Sequence, residues 1–303
     1  MVALATVAPL AQAPQQRGVA PAASRPAARI AVGAVCEGGL LLPIAVRAGD
    51  TWRPLTDDKD GPPLKLTSEA TNLPRAGWTI LPFDPNVASR ALALTGAALV
   101  DDASPCADQE GFRTNAPSAR ARRPTEFIGI ALMGNVTVDR VETVQHLPDP
   151  ASRRVGAMII QLAQALEAER VEAVGSGTLV PSATQRSRVA AELWNMWRYR
   201  HGENDWYYFE AQKNYDSDTT GNTFVTGWIA AAPSGSSASL MKVNVSVGNA
   251  SDGVTAQAIA LGVLRVGDRA VWLFDEQGYA GRRFEMVEIG LSQRQPVCIL
   301  RGC

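Results

Sequence analysis

The sequence predicts an α+β fold rich in strands, with antiparallel sheets and hairpins and one main amphipathic helix. Short apolar runs separated by turn residues recur along most of the chain after residue 28, which is typical of successive antiparallel strands. Only one segment repeats apolar residues at helical spacing over several turns. The chain is 46% hydrophobic and 19% charged, a composition that indicates a folded domain rather than a disordered one.

The first 28 residues are predicted to be a leader outside the fold. They open with a short apolar segment, and Ala11-Gln12-Ala13 matches the small-x-small pattern of a signal-peptide cleavage site, although no positively charged segment precedes it. Two explanations remain open. The segment is either a secretory signal whose upstream part is missing from this chain or an Ala/Pro-rich disordered leader.

Residues 29–112 are predicted to form a β-rich region, followed by an Arg/Pro linker at 113–124. Two apolar runs flank Glu37-Gly38-Gly39 and predict a hairpin. The segments "GWTILPF" and "RALALTG" read as short strands. The linker combines arginine, alanine and proline without periodicity. Its arginines could contact an anion, but a solvated connector explains them more simply.

Residues 125–303 are predicted to form an α+β region, either separate from 29–112 or part of one domain with it. Alternating runs around Gly134-Asn135 predict a hairpin. A helix is predicted next, capped by Asp149 or by Ser152, with Pro150 at its first position. Its apolar stripe and its predicted stop comprise Val155, Ile159, Leu162, Leu166 and Gly175.

The rest of that region is predicted to consist of strands. The segment from Ala191 to Tyr215 is dense in Trp and Tyr and is broken at Gly202-Glu203-Asn204, which favours a hairpin over a helix at 187–199. The later strand-like segments are "TGWIAAA", "SLMKVNVSV", "AIALGVLRVGDRAVWLF" and "RRFEMVEI", with turns at Pro233-Ser234-Gly235 and Gly267-Asp268.

Aromatic side chains are concentrated between Trp194 and Trp228. On extended backbone, Trp206 and Tyr208 share one face of the strand, and Tyr207 and Phe209 share the other. The rings could fill a sheet core or form a platform for flat ligands, because aromatic faces stack and Tyr and Trp keep a polar tip. The residues proposed for ligand binding are Trp194, Trp197, Trp206, Tyr208 and Trp228.

The segment from Asp216 to Gly221 superficially matches two metal-binding patterns. Asp-x-Asp-x-Thr occurs in phosphatases that resemble haloacid dehalogenases, but there the motif follows a buried apolar strand, whereas polar residues precede it here. A calcium loop would need a closing carboxylate where Gly227 stands. An Asp/Thr/Gly-rich turn is the simpler interpretation. The alternative is a metal-dependent hydrolase that uses Asp216 and Asp218, with His201 as a further candidate.

The four cysteines predict two disulfides, because none lies in a C-x-x-C pair or near a histidine. The favoured pairing joins Cys36 to Cys106 and Cys298 to Cys303. Four free thiols in a reducing compartment are the alternative.

Charge and motifs limit the function classes. Lys+Arg (29) balance Asp+Glu (30), which argues against nucleic acid as a partner, and no apolar run is long enough to predict a transmembrane segment. With two histidines and no Gly-x-Ser-x-Gly or phosphate-binding glycine loop, the chain has no recognisable catalytic constellation. No cofactor is predicted. Whether the protein is an enzyme stays open, but the sequence favours a protein without catalytic activity.

Four segments carry a resemblance to other proteins: "VCEGGLLLPIAVRAGDTW", "PCADQEGFRTN", "WYYFEAQKNY" and "RAVWLFDEQGYAGRRFEMVEI". Together they resemble a group of uncharacterised exported bacterial proteins. The resemblance covers most of the chain after the leader and implies periplasmic or extracellular localisation, but no activity.

The function predicted from these observations is non-catalytic binding of an unknown protein or small ligand through the aromatic-rich hairpin. The alternatives are the hydrolase described above and a structural or assembly component held together by exposed strand edges.

Overall fold

The computed structural model describes residues 29–57, 65–99, 110–116, 127–144, 146, 148–174, 181–215, 222–248, 257–278, 281–289 and 294–299. Of the residues that the structure describes, 60% lie in strands and 17% in helices, and the sheets are antiparallel, which confirms the strand-rich α+β class.

Twelve strands of the described chain precede the long helix. They are β1 (Ile30–Cys36), β2 (Leu40–Ala48), β3 (Thr51–Pro54), β4 (Thr56–Asp57), β5 (Lys65–Leu66), β6 (Trp78–Pro82), β7 (Arg90–Leu92), β8 (Leu94–Leu99), β9 (Glu110–Thr114), β10 (Phe127–Met133), β11 (Thr137–Asp139) and β12 (Glu142–Thr143). A short 3-10 turn, Glu37–Gly39, joins β1 to β2, and a one-turn helix α1 (Ser68–Thr71) follows β5.

The helices α2 (Pro150–Val174) and α3 (Ala183–Arg188) come next. Eight further described strands follow: β13 (Glu192–His201), β14 (Asn204–Lys213), β15 (Asn222–Ala231), β16 (Ala238–Gly248), β17 (Gln257–Val266), β18 (Arg269–Gly278), β19 (Gly281–Ile289) and β20 (Arg294–Ile299).

The first sheet, called here the N-terminal sheet, curls until its two ends meet. Its strands lie in the order β7-β6-β10-β1-β2-β9-β8, and β3 also pairs with β2. A single residue, Ala93, separates β7 at one end of this order from β8 at the other. The side chains on the inner face of the curl, among them Trp78, Leu92 and Phe112, are buried against one another.

Strand β10 corrects one prediction, because it forms no hairpin across Gly134-Asn135. It lies between β6 and β1 in the N-terminal sheet, whereas β11 pairs with β17 in another sheet. All seven residues of β10 are buried, as expected of a central strand rather than of half of an exposed hairpin. Gly134 has φ 90°, and a Cβ there would lie 2.4 Å from the carbonyl oxygen of Arg29, so the turn between the two sheets requires glycine.

The start of the predicted linker also belongs to the N-terminal sheet. Arg113 and Thr114 are the last residues of β9, which pairs with both β2 and β8. The linker arginines after them lie outside the described residues.

The second sheet, called here the central sheet, lies between two others. Its order is β11-β17-β18-β19-β20. One face packs against the N-terminal sheet through residues such as Leu264, Leu273 and Met286. The other face contributes Val263, Trp272 and Phe274 to a core shared with the third sheet. Both faces of the central sheet are therefore buried.

The third sheet, called here the aromatic sheet, has the order β12-β13-β14-β15-β16 and is covered on its outer face by α2. Asp149 caps that helix, because its carboxylate accepts hydrogen bonds from the backbone N–H and the hydroxyl of Ser152. Val155, Ile159 and Ala163 recur every four residues and form the buried stripe of the helix. The predicted hairpin β13–β14 and the single long helix are confirmed. The prediction of one strand for "RALALTG" is wrong, because Ala93 divides this segment into β7 and β8, which lie at opposite ends of the N-terminal sheet. The predicted stop at Gly175 lies outside the described residues.

Candidate binding surface

The aromatic hairpins place their rings on the two faces that strand alternation predicts. Tyr208 of β14 pairs with Trp197 of β13 on one side and with Trp228 of β15 on the other. Their ring centroids lie 5.7 Å and 5.2 Å from that of Tyr208. Trp206 joins the same core, whereas Tyr207 and Phe209 face α2.

Four of the five rings proposed for ligand binding lie in the interior. Trp197, Trp206, Tyr208 and Trp228 are each at most 7% exposed. They pack against the central sheet, where Trp272 lies 4.9 Å from Trp228 in an edge-to-face arrangement. The faces of these rings are covered by protein, so they contribute burial of apolar surface rather than an open stacking platform.

Trp194 differs from the other four. It is the extra residue at a bulge between Leu193 and Asn195, it is partly buried, and its ring lies 6.0 Å from that of Phe224. A bulge re-aims a side chain out of the regular alternation, which explains why this ring is not in the shared core.

The candidate metal ligands Asp216 and Asp218 lie outside the described residues. Within the part of the chain that the structure describes, no group of three His, Cys, Asp or Glu side chains could hold a metal ion.

His201 lies at the end of β13, beside the start of β14, and its ring stacks on that of Tyr199. Burial and the nearby charge of Arg265 lower its pKa. The nearby carboxylate of Asp205 points to the opposite face of the sheet and binds Arg200 at 2.7 Å. Strand β14 also separates His201 from Tyr215, the last described residue before Asp216, by roughly 30 Å at about 3.3 Å per residue.

A buried carboxylate that the sequence analysis missed joins the aromatic sheet to the central sheet. Glu210 is 2% exposed and accepts hydrogen bonds from the side-chain amide of Asn195, the hydroxyl of Tyr208 and the backbone N–H of Ala258, at 2.8, 3.1 and 2.8 Å. Burial raises the pKa of Glu210 to about 7, and the charge of Glu276 adds to the rise. Strand alternation was a usable signal, because Glu210 shares a face with Trp206 and Tyr208.

A second buried polar cluster fastens α2 and α3 to β14. The ammonium of Lys213 donates to a carboxylate oxygen of Glu167 at 3.0 Å and to the carbonyl of Arg186 at 2.9 Å. Arg186 forms an ion pair with Glu167, and the hydroxyl of Tyr215 donates to the same carboxylate. Burial raises the pKa of Tyr215 above its ordinary value. The signal in the sequence was Glu167 itself, which continues the every-fourth-residue stripe of α2.

The free edge of the aromatic sheet is the largest unprotected feature of the described strands. Strand β16 is 11 residues long and pairs only with β15 among the strands that the structure describes. Leu240 and Met241 on it are 45% and 36% exposed. The other end of the same sheet is β12, which has two residues.

The other long sheets present less open edge within the described ranges. The N-terminal sheet ends in β7, which has three residues, and in β8, which has six. The terminal strand β20 of the central sheet contains Pro296 and lies beside β3. Proline lacks a backbone donor and protects an edge against further pairing.

Partly buried apolar side chains of α2 extend the surface beside β16. Met158, Leu162 and Leu166 lie on one flank of the buried stripe of α2, and Gln164 lies on the other flank. Gln164 accepts a hydrogen bond from the backbone N–H of Ala191, immediately before β13, so its flank faces that strand. The Met158 flank therefore faces β16. We call β16 together with Met158, Leu162 and Leu166 the edge surface.

The chain has no match among known protein families, curated proteins or solved structures. Among the described residues, no helix combines the length and the apolar character needed to cross a membrane.

Proposed function

We propose that the protein is a non-catalytic binding protein and that its partner is an extended protein segment, which adds as a strand to the edge surface of the aromatic sheet. The observation that carries the proposal is the 11-residue edge strand β16, which has one strand neighbour and exposed apolar side chains. The aromatic hairpins serve this function as the rigid, buried support of the edge.

The layering of the fold supports an edge rather than a face as the contact. The central sheet covers one face of the aromatic sheet, and α2 covers the other. A partner cannot reach the buried rings without separating these layers. In contrast, an antiparallel edge strand turns every second N–H and C=O away from its only neighbour, and those groups accept a further strand directly.

The composition of β16 also supports strand addition. Edge strands are normally short or carry charges and prolines that prevent pairing. Within Ala238–Gly248 there is no proline, and Lys242 is the single charged residue. Val243 and Val245 pack towards α2, so a partner segment with apolar residues at alternate positions would continue the apolar surface formed with Leu162.

The hydrolase alternative has no support among the described residues. The buried carboxylates Glu167 and Glu210 are each held by several hydrogen bonds, and neither lies beside a nucleophile with a free base. The assembly alternative, by contrast, uses the same strand edge as the proposed function.

We also propose that the protein acts after export, with Cys36 joined to Cys106 and Cys298 to Cys303. The leader pattern, the even cysteine count and the resemblance stated above support this proposal. Cys36 is fully buried at the end of β1, whereas Cys106 and Cys303 lie outside the described residues. Peptide mass mapping of exported protein with and without reductant tests both pairings, and four free thiols would contradict them.

The binding proposal is tested by selecting displayed random peptides on the immobilised full chain. Selected peptides should alternate apolar and polar residues, and their binding should be lost when Asn244→Lys and Ser246→Lys place charges along β16. The matched control carries Ala157→Lys and Ala168→Lys on the exposed side of α2 and should bind as the wild type does. Peptides that bind both double variants equally would contradict an edge site.

A further inference from the structure

We infer that the segment added to β16 is the β16 strand of a second copy of this chain, paired antiparallel across a two-fold axis perpendicular to the sheet. The inference rests on the proposed function and names its partner. It would join two five-stranded aromatic sheets into one continuous sheet.

Each face of β16 can lie beside the same face of a second β16 strand. Val243 and Val245 face α2, while Lys242, Asn244 and Ser246 lie on the face of Trp228, Thr226 and Phe224. In an antiparallel pair, residues directly opposite each other lie on the same face of the sheet. With the axis through Asn244, a second β16 places Val243 opposite Val245 and Lys242 opposite Ser246, so apolar residues oppose apolar ones and polar residues oppose polar ones.

The charge pattern favours self-pairing over pairing with a charged segment. Lys242 is the single charge of β16, so two copies oppose like charges only if the axis passes through Lys242 itself. An axis through Val243, Asn244 or Val245 places Lys242 opposite an uncharged residue of the second strand. The net charge of the whole chain is −1, so little long-range repulsion opposes the approach of two copies.

The exposed apolar residues are covered in this arrangement. Leu240 and Met241 lie near the first residue of β16, so antiparallel pairing places them beside the second half of the other copy's strand. The two-fold axis keeps both α2 helices on the same side of the joined sheet, where Leu162 and Leu166 of each copy flank the seam. An isologous contact of this kind closes as a dimer and leaves no free β16 edge for further growth.

The test uses opposite charges on the polar face of β16, because such charges act in every allowed register. The first variant, Asn244→Lys with Ser246→Lys, leaves three lysines on that face. The second, Lys242→Glu with Asn244→Glu and Ser246→Glu, leaves three glutamates. Sedimentation velocity over a concentration series should show a wild-type dimer and, for each variant alone, a dissociation constant raised about tenfold or more.

An equimolar mixture of the two variants should restore association to at least the wild-type level, because every pair of opposed charges is then Lys with Glu. The restored association also demonstrates that each variant is folded. The helix control Ala157→Lys with Ala168→Lys adds the same charge as the lysine variant and should dimerise as the wild type does.

Hydrogen exchange of the β16 amides that point away from β15, called here the β16 amides, separates this inference from the proposed function. A monomeric wild type whose β16 amides become protected on binding a selected peptide would overturn self-pairing and leave strand addition in place. A monomer with exchanging β16 amides and no peptide protection would overturn both. A monomer whose β16 amides are already protected would show that another part of the same chain covers the edge, and would also overturn both.

Discussion

Replacing the buried carboxyl group of Glu210 by an amide, Glu210→Gln, should raise the free energy of unfolding at neutral and alkaline pH but not at acidic pH. The carboxyl lies between the aromatic and central sheets, 2% exposed, with three hydrogen-bond donors and no cation within the contacts described. Glutamine can keep the bonds from Tyr208 and Ala258 through its oxygen. The amide of Asn195 can rotate to accept the new N–H.

The magnitude follows from the pKa of Glu210 in the two states. The ordinary value is 4.5, and burial raises it to about 7 in the folded protein. Between these values the folded state holds a proton that the unfolded state has released, so the free energy of unfolding falls as pH rises. The fall is complete above pH 7 and amounts to about 3 kcal/mol at about 1.36 kcal/mol per pH unit.

Urea unfolding of both proteins at fixed temperature, repeated at several pH values from 4 to about 8, measures this difference. Subtracting one curve from the other removes the contribution of other groups that titrate identically in both proteins. The neighbour whose own titration the substitution could alter is Tyr208, whose pKa burial also raises. The excess stability of the variant should grow between pH 4.5 and 7 and then stay constant.

The reasoning is refuted if the difference is independent of pH, or if the variant is the less stable protein at pH 8. A difference independent of pH would mean that the three donors stabilise the ionised carboxylate by as much as burial destabilises it, and a less stable variant at pH 8 would mean that they stabilise it by more. The wild type would then gain stability from the charge of Glu210 rather than lose it.

Two further substitutions test the packing of the aromatic sheet by urea unfolding at pH 7. Lys213→Met removes one of the two cations that contact the buried Glu167 carboxylate and should lower the free energy of unfolding by about 3 kcal/mol. The control Lys65→Met, at an exposed position, should change the free energy of unfolding by under about 1 kcal/mol. Equal effects of the two substitutions would contradict a buried ion pair. Gly227→Ala would place its Cβ 2.6 Å from a backbone oxygen of β16 and should cost about 1–3 kcal/mol, whereas Gly96→Ala, with nothing within 4 Å of its Cβ, should not. Equal stability of the two alanine variants would show that β15 and β16 are less closely packed than described.

The parts of the fold that the sequence predicted are those specified by neighbouring residues. Periodicity and turn residues were enough for the hairpin β13–β14, because Gly202 supplies the positive φ at its turn and the strands pair without interruption from the turn to Asn195 and Glu210. The helix α2 was equally local, since Asp149 caps it and Val155 and Ile159 repeat at its spacing.

Long-range arrangement was not predictable in the same way. The segment around Gly134 has the residues of a hairpin turn, but its first strand is inserted between β6 and β1, and no local pattern encodes that insertion. Strand alternation predicts that the side chains of Glu210 and Lys213 face the interior. Their partners Ala258 and Glu167 lie 48 and 46 residues away in the chain, so the two clusters could not be assembled from the sequence alone.

The order of the layers decides where this protein can make a large contact. The rings of the aromatic sheet, such as Trp206 and Trp228, are buried because they form the apolar partner of the second face of the central sheet. Within the described part of the chain, that burial and the cover provided by α2 leave the aromatic sheet a single open direction, along its strand-pairing axis. One end of that direction is the two-residue β12, so pairing of any length must occur at β16. The aromatic residues thus determine the binding site indirectly, by closing both faces of the sheet whose edge remains exposed.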